Sequence, residues 1–235
     1  MTKRIAIVSA MREELHALHE DFHNANVQCV AGRDFHIGTL HGHDAVLVLS
    51  GIGKVAAAAT TALLLDRFDV RAVLFTGVAG GLRDGINVGD VVIGDALLQH
   101  DLDASPIFAR WEVPLTGKSR FTADATWSDT LARAARSSGH AVHRGLIVSG
   151  DRFVATSAES AALRAALPDA LAVEMEGAAV AQVCHDFARP FAVMRTISDR
   201  ADDSAPIDFS RFVADVASGL TRRIVRAALT ESRSP

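Results

Sequence analysis

The fold class is decided first by the stretch AVLFTGVAGG, residues 72–81. Its first four residues form an apolar, β-rich run that is typical of a buried strand, and a small, glycine-rich segment follows directly. Open α/β sheets bind ligands at the carboxyl ends of their strands. Glycines after a buried strand are also common in structural turns, so the stretch by itself leaves a ligand loop and a turn equally open.

Similar apolar runs recur outward from this stretch, and each predicts a buried strand. With Ala72–Phe75, they are Ile5–Val8, Ala45–Leu49, Asp90–Ile93, Gly145–Val148, Leu171–Val173 and Pro190–Ile197. Ala/Leu-rich stretches with helical spacing lie between several of them, namely Arg12–His19, Lys54–Arg67, Ser128–Ser137, Ala158–Ala166, Gly177–Phe187 and Phe209–Leu229. This alternation predicts an α/β fold in which helices flank a mixed, mainly parallel β-sheet. We expect a single domain over residues 1–235, with a frayed polar tail over residues 230–235.

The composition excludes several classes of protein. Of the 235 residues, 49% are hydrophobic and 22% are charged, the formal net charge is −4, and no basic stripe is present, which argues against a nucleic-acid partner. The two cysteines, Cys29 and Cys184, form no Cys-x-x-Cys pair, so we expect a reducing cytoplasm rather than a disulfide framework or a zinc cluster. No apolar run approaches the roughly 18 residues of a membrane span, and the first residues lead directly into a strand. We therefore expect a soluble protein without a membrane partner or signal peptide.

Two segments resemble nucleotide-binding motifs. SGIGKVA, residues 50–56, lies between a predicted strand and a predicted helix and matches the dinucleotide fingerprint G-x-G-x-x-A. The fingerprint also needs an acidic residue at the end of the second strand, where this chain has Thr76 and Gly77, so nicotinamide binding is disfavoured. GKS, residues 117–119, ends like a phosphate loop, but Glu112 takes the place of the leading glycine.

Acidic residues follow the first and the sixth predicted strands. Glu13 and Glu14 stand in the first turn of a helix, where one complements the helix dipole and the other is a candidate general base on water. Glu174 and Glu176 stand at the end of a strand that should be buried, and charged residues are rarely buried without a partner or a function. Side chains alternate along a strand, so these two share a face unless the strand ends between them.

Ser198 and Asp199 close the last apolar run. They fit an N-cap or a turn, and they also fit a proton donor if burial keeps the pKa of Asp199 high enough to retain the proton. Residues 98–127 interrupt the alternation and predict a long loop or lid. Within them HDLD, residues 100–103, has too few converging ligands for a hard metal, so no metal is expected.

Taken in order, these motifs resemble the 5′-methylthioadenosine/S-adenosylhomocysteine nucleosidase branch of the nucleoside phosphorylase superfamily. The resemblance covers nearly the whole chain and rests on Ile7–Leu15, Ser50–Lys54, Gly77–Gly81, Gly150–Phe153, Val173–Gly177 and Arg195–Asp199. It implies a nucleoside phosphorylase-like fold and hydrolysis of the N-glycosidic bond of 5′-thio-substituted adenine nucleosides. It also implies no cofactor, and a homodimer in which a loop of the neighbour helps to close the pocket.

The resemblance further implies roles for individual residues. Asp199 would protonate N7 of adenine while Ser198 orients it. Glu14 would deprotonate the attacking water near C1′, with Arg195 close to the carboxylates, and Glu176 would bind the ribose hydroxyls. Phe153 would stack on adenine. The remaining expected substrate-binding residues are Ile52, Val78, Ala79, Gly80, Val154, Glu174, Met175 and Phe209, with Val154 using its backbone.

Some features depart from the family pattern or leave alternatives open. Many members have a serine at Val78, tyrosine is absent, and residues 104–111 differ from the usual covering loop. Homologues in this branch also accept 5′-deoxyadenosine or an aminofutalosine-type nucleoside. A phosphorylase is the nearest alternative, but Glu14 would repel its phosphate. A non-catalytic nucleoside-binding protein is a further alternative, against which the three retained carboxylates argue.

Overall fold

A computed structural model describes residues 3–212 and 218–231, without the side chains of Glu14, Arg211 and Ser218. The strands are β1 Arg4–Ser9, β2 Phe22–Val30, β3 Arg33–Leu40, β4 His43–Leu49, β5 Val70–Gly81, β6 Val91–Gln99, β7 Phe121–Thr122, β8 Val142–Ser149, β9 Ala170–Glu174 and β10 Phe191–Asp199. The helices are α1 Arg12–His19, α2 Lys54–Arg67, α3 Ala125–Ser137, α4 Ser157–Ala166, α5 Gly177–Asp186, α6 Ala205–Phe212 and α7 Ser218–Glu231.

The strands form one mixed sheet in the order β10-β6-β8-β9-β5-β1-β4-β3-β2, with β7 on β6. Because β10 also pairs with β5, five strands (β5, β10, β6, β8 and β9) close into a ring. The α/β class and the mixed sheet are as predicted. Within the described residues, however, five pairings are parallel and five are antiparallel. Parallel pairs join β4–β1–β5–β10 and β6–β8–β9, whereas β10–β6, β5–β9 and the pairs of β2, β3 and β7 are antiparallel.

Both faces of the central sheet are buried, which explains the continuous apolar runs of its strands. In β1, Ala6 and Val8 pack in one core cluster with α2 and α5, whereas Ile5 and Ile7 pack in another with α1, α3 and α7. Helices thus cover the sheet on two sides. The seven predicted strands and the helices α1 and α2 lie where the sequence places them.

Several elements differ from the sequence prediction. The hairpin β2–β3 is not predicted, and nearly all of β2 is exposed rather than part of a buried apolar run. β5 continues through residues 76–81, so the glycine-rich segment is strand, not turn, and it pairs with both β10 and β9. The predicted helix 209–229 begins earlier, as α6, and α7 covers its later part; residues 213–217 between them lie outside the described residues.

The two segments predicted to be irregular are shorter than expected. The long connection spans 100–120 rather than 98–127, because β6 extends to Gln99 and β7 and α3 begin before residue 127. Thr230 and Glu231 belong to α7, and the Glu231 carboxylate pairs with Arg133, so the fraying of the tail stays a prediction. Residues 232–235 lie outside the described part of the chain.

Candidate active site

A cavity of about 260 Å³ lies at the carboxyl ends of β1, β5, β9 and β10. Its size is close to the lower end of the roughly 300–1,000 Å³ of small-molecule sites. Its walls combine apolar side chains with three carboxylates and one guanidinium. The lining residues are Ala10, Met11, Ile52, Gly77, Val78, Ala79, Gly80, Phe153, Val173, Glu174, Met175, Glu176, Arg195, Ser198, Asp199 and Phe209.

Asp199 ends β10 with its side chain only 1% exposed. Its Oδ2 accepts a 2.8 Å hydrogen bond from Ser198 Oγ, and its Oδ1 accepts a 2.8 Å bond from Ala201 N. Burial raises the pKa of Asp199 above its ordinary value, and the two hydrogen bonds oppose that shift only in part. A Cβ at Gly80 would stand 2.9 Å from Asp199 Oδ1, so the glycine is what lets β5 pass this close to the carboxyl.

Glu174 is the last residue of β9 and is saturated by protein donors. Arg195 Nη2 donates to its Oε2 at 2.7 Å, Gly177 N donates to the same oxygen at 2.8 Å, and Ser149 Oγ donates to Oε1. The ion pair with Arg195 is almost fully buried, so removal of either partner would leave an uncompensated charge. Glu174 therefore holds Arg195 and the start of α5, although it lines the cavity.

Arg195 itself is enclosed on all sides. Its guanidinium lies 4.0 Å from the ring centre of Phe75, a cation–π arrangement that supports a buried charge. Its Nε has no hydrogen-bond partner among the residues that the structure describes. Arg195 thus brings a positive charge and an unused donor to a cavity that is otherwise acidic.

Glu176 lies two residues after Glu174 but in a different environment. The strand ends between them, and Glu176 occupies the N-cap position of α5. Its Oε1 accepts a 2.8 Å hydrogen bond from Gly53 N. Burial, followed by the negative charge of Glu174, raises the pKa of Glu176 to about 7, against the opposing effect of Arg195.

Two aromatic rings form one wall of the cavity. Phe153 follows β8 and packs edge-to-face against Phe209 of α6, with ring centroids 5.5 Å apart. Phe153 is 40% exposed, so one side of its ring is available to a planar ligand. Val154 does not line the cavity, because its side chain packs into a core cluster; the predicted contact of its backbone with adenine stays a prediction.

The fingerprint-like segment 50–56 does not present a free phosphate site. Gly51 and Gly53 have positive φ angles of 76° and 92°, which glycine adopts without strain. Two N–H groups at the start of α2 are already bound by protein carboxylates: Gly53 N by Glu176 and Lys54 N by Asp151 Oδ1 at 2.7 Å. The segment 117–119 lies in a turn before β7 and precedes no helix.

Most of the predicted site residues come together in this cavity. Those that line it are Ile52, Val78, Ala79, Gly80, Phe153, Glu174, Met175, Glu176, Arg195, Ser198, Asp199 and Phe209. The backbone of Glu14 lies in the first turn of α1, next to the cavity-lining Met11, but its side chain lies outside what the structure describes. Its role as a base stays a prediction.

Sequence reasoning did not assign four lining residues, Ala10, Met11, Gly77 and Val173, although each belongs to a motif it had singled out. The long connection 100–120 does not line the cavity of its own chain. Within the described residues no cluster of three or more histidine, cysteine or acidic side chains could hold a metal ion. In the same part of the chain, no helix is long and apolar enough to cross a membrane.

The cavity combines a buried acid with a raised pKa, Asp199, a second carboxyl group with a pKa of about 7, Glu176, and an aromatic wall. A sequence model of the phosphorylase superfamily matches residues 4–230, and the chain belongs to that superfamily. The closer comparisons are with nucleosidases. A relative in Anoxybacillus flavithermus, named 5′-methylthioadenosine/S-adenosylhomocysteine nucleosidase, is 41% identical over 91% of this chain and 92% of its own length. The chain therefore belongs to the 5′-methylthioadenosine/S-adenosylhomocysteine nucleosidase family.

Solved structures agree with this assignment. The Neisseria meningitidis nucleosidase of the same name, in complex with methylthio-immucillin-A, has a TM-score of 0.93 and 41% identity, and the match covers 97% of this chain and 99% of that one. A Helicobacter pylori futalosine hydrolase has a TM-score of 0.91 and 32% identity, with 98% of this chain and 99% of that chain covered. The predicted nucleoside phosphorylase-like fold is thus confirmed.

Proposed function

We propose that the chain hydrolyses the N-glycosidic bond of 5′-methylthioadenosine and S-adenosylhomocysteine and releases adenine. The observation that carries this proposal is the pairing of Asp199 and Glu176 in one small cavity, both buried and both with a raised pKa. The two groups need opposite ionisation states, because protonated Asp199 donates a proton and ionised Glu176 binds hydroxyls. The nucleosidase relatives support the same substrates.

In the proposed reaction, Asp199 donates a proton to N7 of adenine, so that the base leaves with the electron pair of the C1′–N9 bond as a neutral molecule. The ribose carbon becomes positively charged as this bond breaks. Water attacks C1′ and loses a proton to Glu14, and the two carboxyls return to their starting states by exchange with solvent. Ser198 holds Asp199 in position through its 2.8 Å bond.

The remaining lining residues bind and orient the nucleoside. Glu176 accepts hydrogen bonds from the ribose hydroxyls, Phe153 stacks on adenine, and Arg195 stays paired with Glu174 behind the carboxylates. We infer that the apolar side chains of Met11, Ile52 and Phe209, which line the cavity, contact the 5′ substituent. Val78 offers no hydrogen-bonding side chain here, so the carboxylates must orient the attacking water.

The charge of the cavity favours water over phosphate as the nucleophile. Its lining contains three carboxylates and a single cation, Arg195, which Glu174 already neutralises. A phosphorylase needs several donors for the phosphate anion, whereas here the guanidinium is already paired and ionised Glu176 would repel the anion. The same electrostatics stabilise a sugar with developing positive charge.

Assembly and setting complete the proposal. We infer a homodimer because large apolar side chains, Val55 at 80%, Ile107 at 83% and Leu115 at 91% exposure, stand on α2 and on the long connection, where a second copy would cover them. A second copy would also bring a loop to the open side of the cavity. We place the enzyme in the cytoplasm, where its free Cys29 and Cys184 suit a reducing environment. There it serves methionine salvage, without a cofactor.

The test is adenine release from the purified protein in phosphate-free buffer. Methylthioadenosine, adenosylhomocysteine, 5′-deoxyadenosine and an aminofutalosine-type nucleoside are compared side by side, because the similarity to a futalosine hydrolase makes the last a second candidate. We expect the thio-substituted substrates to turn over fastest, with free ribose-type product. A requirement for phosphate with formation of a sugar 1-phosphate, or tight binding without turnover, would overturn the proposal.

A further inference from the structure

Three separate segments at the edge of the cavity are joined by a closed ring of hydrogen bonds. Lys54 begins α2, Asp101 follows β6, and Asp151 follows β8. Lys54 N donates to Asp151 Oδ1 at 2.7 Å, Asp151 N donates to Asp101 Oδ2 at 2.9 Å, and Lys54 Nζ donates to Asp101 Oδ1 at 2.6 Å. Each residue of this Lys54–Asp101–Asp151 ring is therefore bound to the other two.

The ring adjoins Glu176 through consecutive N–H groups. Gly53 N donates to Glu176 Oε1 at 2.8 Å, and the next N–H along the chain, that of Lys54, donates to Asp151. These two groups flank the Cα of Gly53, so their two acceptors together fix the φ and ψ angles of a glycine that would otherwise rotate freely. A Cβ at Gly53 would stand 3.1 Å from Asp151 Oδ1, so the glycine leaves the room that Asp151 occupies.

The ring also supports the segment that carries Phe153. Gly150 lies against the imidazole of His100. A Cβ at Gly150 would stand 2.3 Å from His100 Nε2, so no larger residue fits at this position. Lys54 Nζ makes a further 3.0 Å bond to Gln99 Oε1, whose amide nitrogen donates to Gln182 of α5. Lys54 thus also ties the ring to β6 and, through Gln99, to α5.

We propose that Asp151 is a positioning residue for the Glu176 carboxylate, which it fixes through the paired N–H groups at the start of α2, with Lys54 and Asp101 holding Asp151 in place. This rests on the proposed function of the cavity. The hydrogen bond from Gly53 N opposes the effect of burial on the pKa of Glu176. Loss of Asp151 lets that N–H move. The Glu176 carboxylate is then less often in the orientation that binds the ribose hydroxyls.

The test is a double-mutant cycle on adenine release. Asp151→Ala should lower kcat/KM about tenfold, mainly through KM, since hydroxyl binding is lost from substrate and transition state alike. In a Glu176→Gln background, the same change should cost less than about twofold. Asp151→Asn keeps the acceptor oxygen for Lys54 N and should restore most of the activity. An equal loss in both backgrounds, or an Asn variant as weak as Ala, would overturn the proposal.

Two further measurements keep the result interpretable. Asp129→Asn serves as the matched control, because Asp129 is an exposed aspartate paired with Arg144 away from the cavity, and its loss should leave kcat and KM unchanged. A carboxyl-carbon NMR titration of Glu176 needs no turnover, so it separates this proposal from the proposed function. We expect a higher Glu176 pKa in Asp151→Ala than in wild type; an unchanged pKa would contradict the coupling. If Asp151→Ala does not fold, Asp101→Asn should show the same dependence on Glu176 with a smaller effect.

Discussion

Two concave regions of the molecule differ in a way that identifies the site. The larger, about 880 Å³, is an open cleft lined by residues that include Arg12, His16, His19, Arg33 and His36. The smaller, about 260 Å³, encloses Glu176 and Asp199 at 6% and 1% exposure. The open cleft has more than three times the volume and more ionisable groups, yet most of these groups keep contact with water.

The difference lies in desolvation rather than in size. In the small cavity, burial raises the pKa of both carboxyls and so changes which form is present near neutral pH. In the open cleft, burial and the neighbouring His36 and His16 lower the pKa of His19, which leaves it neutral and without a charge to use. A small enclosed cavity with few polar groups is therefore the better candidate for chemistry.

The largest effect is expected from Asp199→Asn. The amide cannot donate a proton to N7, and general acid catalysis contributes roughly 10²–10⁴-fold, so adenine release should fall by about that factor. The unfolding temperature should stay near that of wild type, because the shape and the acceptor for Ala201 N are kept. Steady-state kinetics and a thermal melt check both expectations. A loss of activity below tenfold would contradict general acid catalysis by Asp199 in the small cavity.

Glu176→Gln should weaken activity and strengthen the fold. Charged hydrogen bonds contribute about 1.5–3 kcal/mol, so kcat/KM should fall roughly 10–150-fold. The pKa of Glu176 lies at about 7 in the fold against 4.5 as its ordinary value. A raised pKa means that the stability is greatest below pH 4.5 and is lost as pH rises through 7. At pH 8 the glutamine variant should therefore gain roughly 2–3 kcal/mol in the free energy of unfolding, measured by urea denaturation; no gain would contradict the buried ionisation.

The pH dependence of kcat/KM should report both groups of the small cavity. The contribution of Glu176 is gained as pH rises through about 7, because the carboxylate binds hydroxyls better than the acid does. The contribution of Asp199 is lost as pH rises through its raised pKa. We expect a bell-shaped profile with one limb near pH 7, and that limb should disappear in Glu176→Gln. A limb that persists there would belong to another group.

Ser198→Ala should have a smaller effect. One hydrogen bond to a buried group contributes about 1 kcal/mol, so kcat should fall roughly fivefold. Ser198 donates to Asp199 and so lowers its pKa; its loss should shift the limb that belongs to Asp199 to higher pH. A pH–rate profile of the variant measures the shift, and a shift to lower pH would show that the hydroxyl does not act as a donor.

The smallest effect is expected in the open cleft. His36→Ala removes a ring that meets His19 edge-to-face, with ring centroids 4.3 Å apart, and that does not line the small cavity. We expect kcat and KM to change by less than about twofold, since surface substitutions rarely perturb a separate site. A large loss of activity would mean that the open cleft takes part in the reaction.

The central strands and α2 are well predicted because the composition of each short segment is enough to indicate its structure. Strands such as β1 and β4, with buried residues on both faces, contain unbroken apolar runs, and α2 has a clear helical composition. The hairpin β2–β3 fails this test because most side chains of β2 face water and most of β3 is only half-buried. The glycine-rich end of β5 was ambiguous, since its pairing with β9 and β10 comes from distant parts of the chain.

In the candidate site, too, local sequence predicts where residues lie but not which distant groups they contact. Sequence position places Glu174, Glu176, Ser198 and Asp199 at strand ends, and all four line the cavity. It cannot distinguish Glu174, which the protein saturates with donors, from Glu176, which has one donor from Gly53, because those donors come from β8, β10 and α2. Nor can it show that Asp151 belongs to a closed ring of contacts, since its partners lie 50 and 97 residues away.

The central claim is that Asp199 supplies a proton to the leaving base inside the small cavity. The most direct measurement compares wild type and Asp199→Asn on methylthioadenosine and on a 5-methylthioriboside whose nitrophenolate leaving group needs no proton. The account predicts that the variant loses adenine release by roughly 10²–10⁴-fold but releases nitrophenolate within a few-fold of wild type. An equal loss on both substrates would contradict proton donation by Asp199.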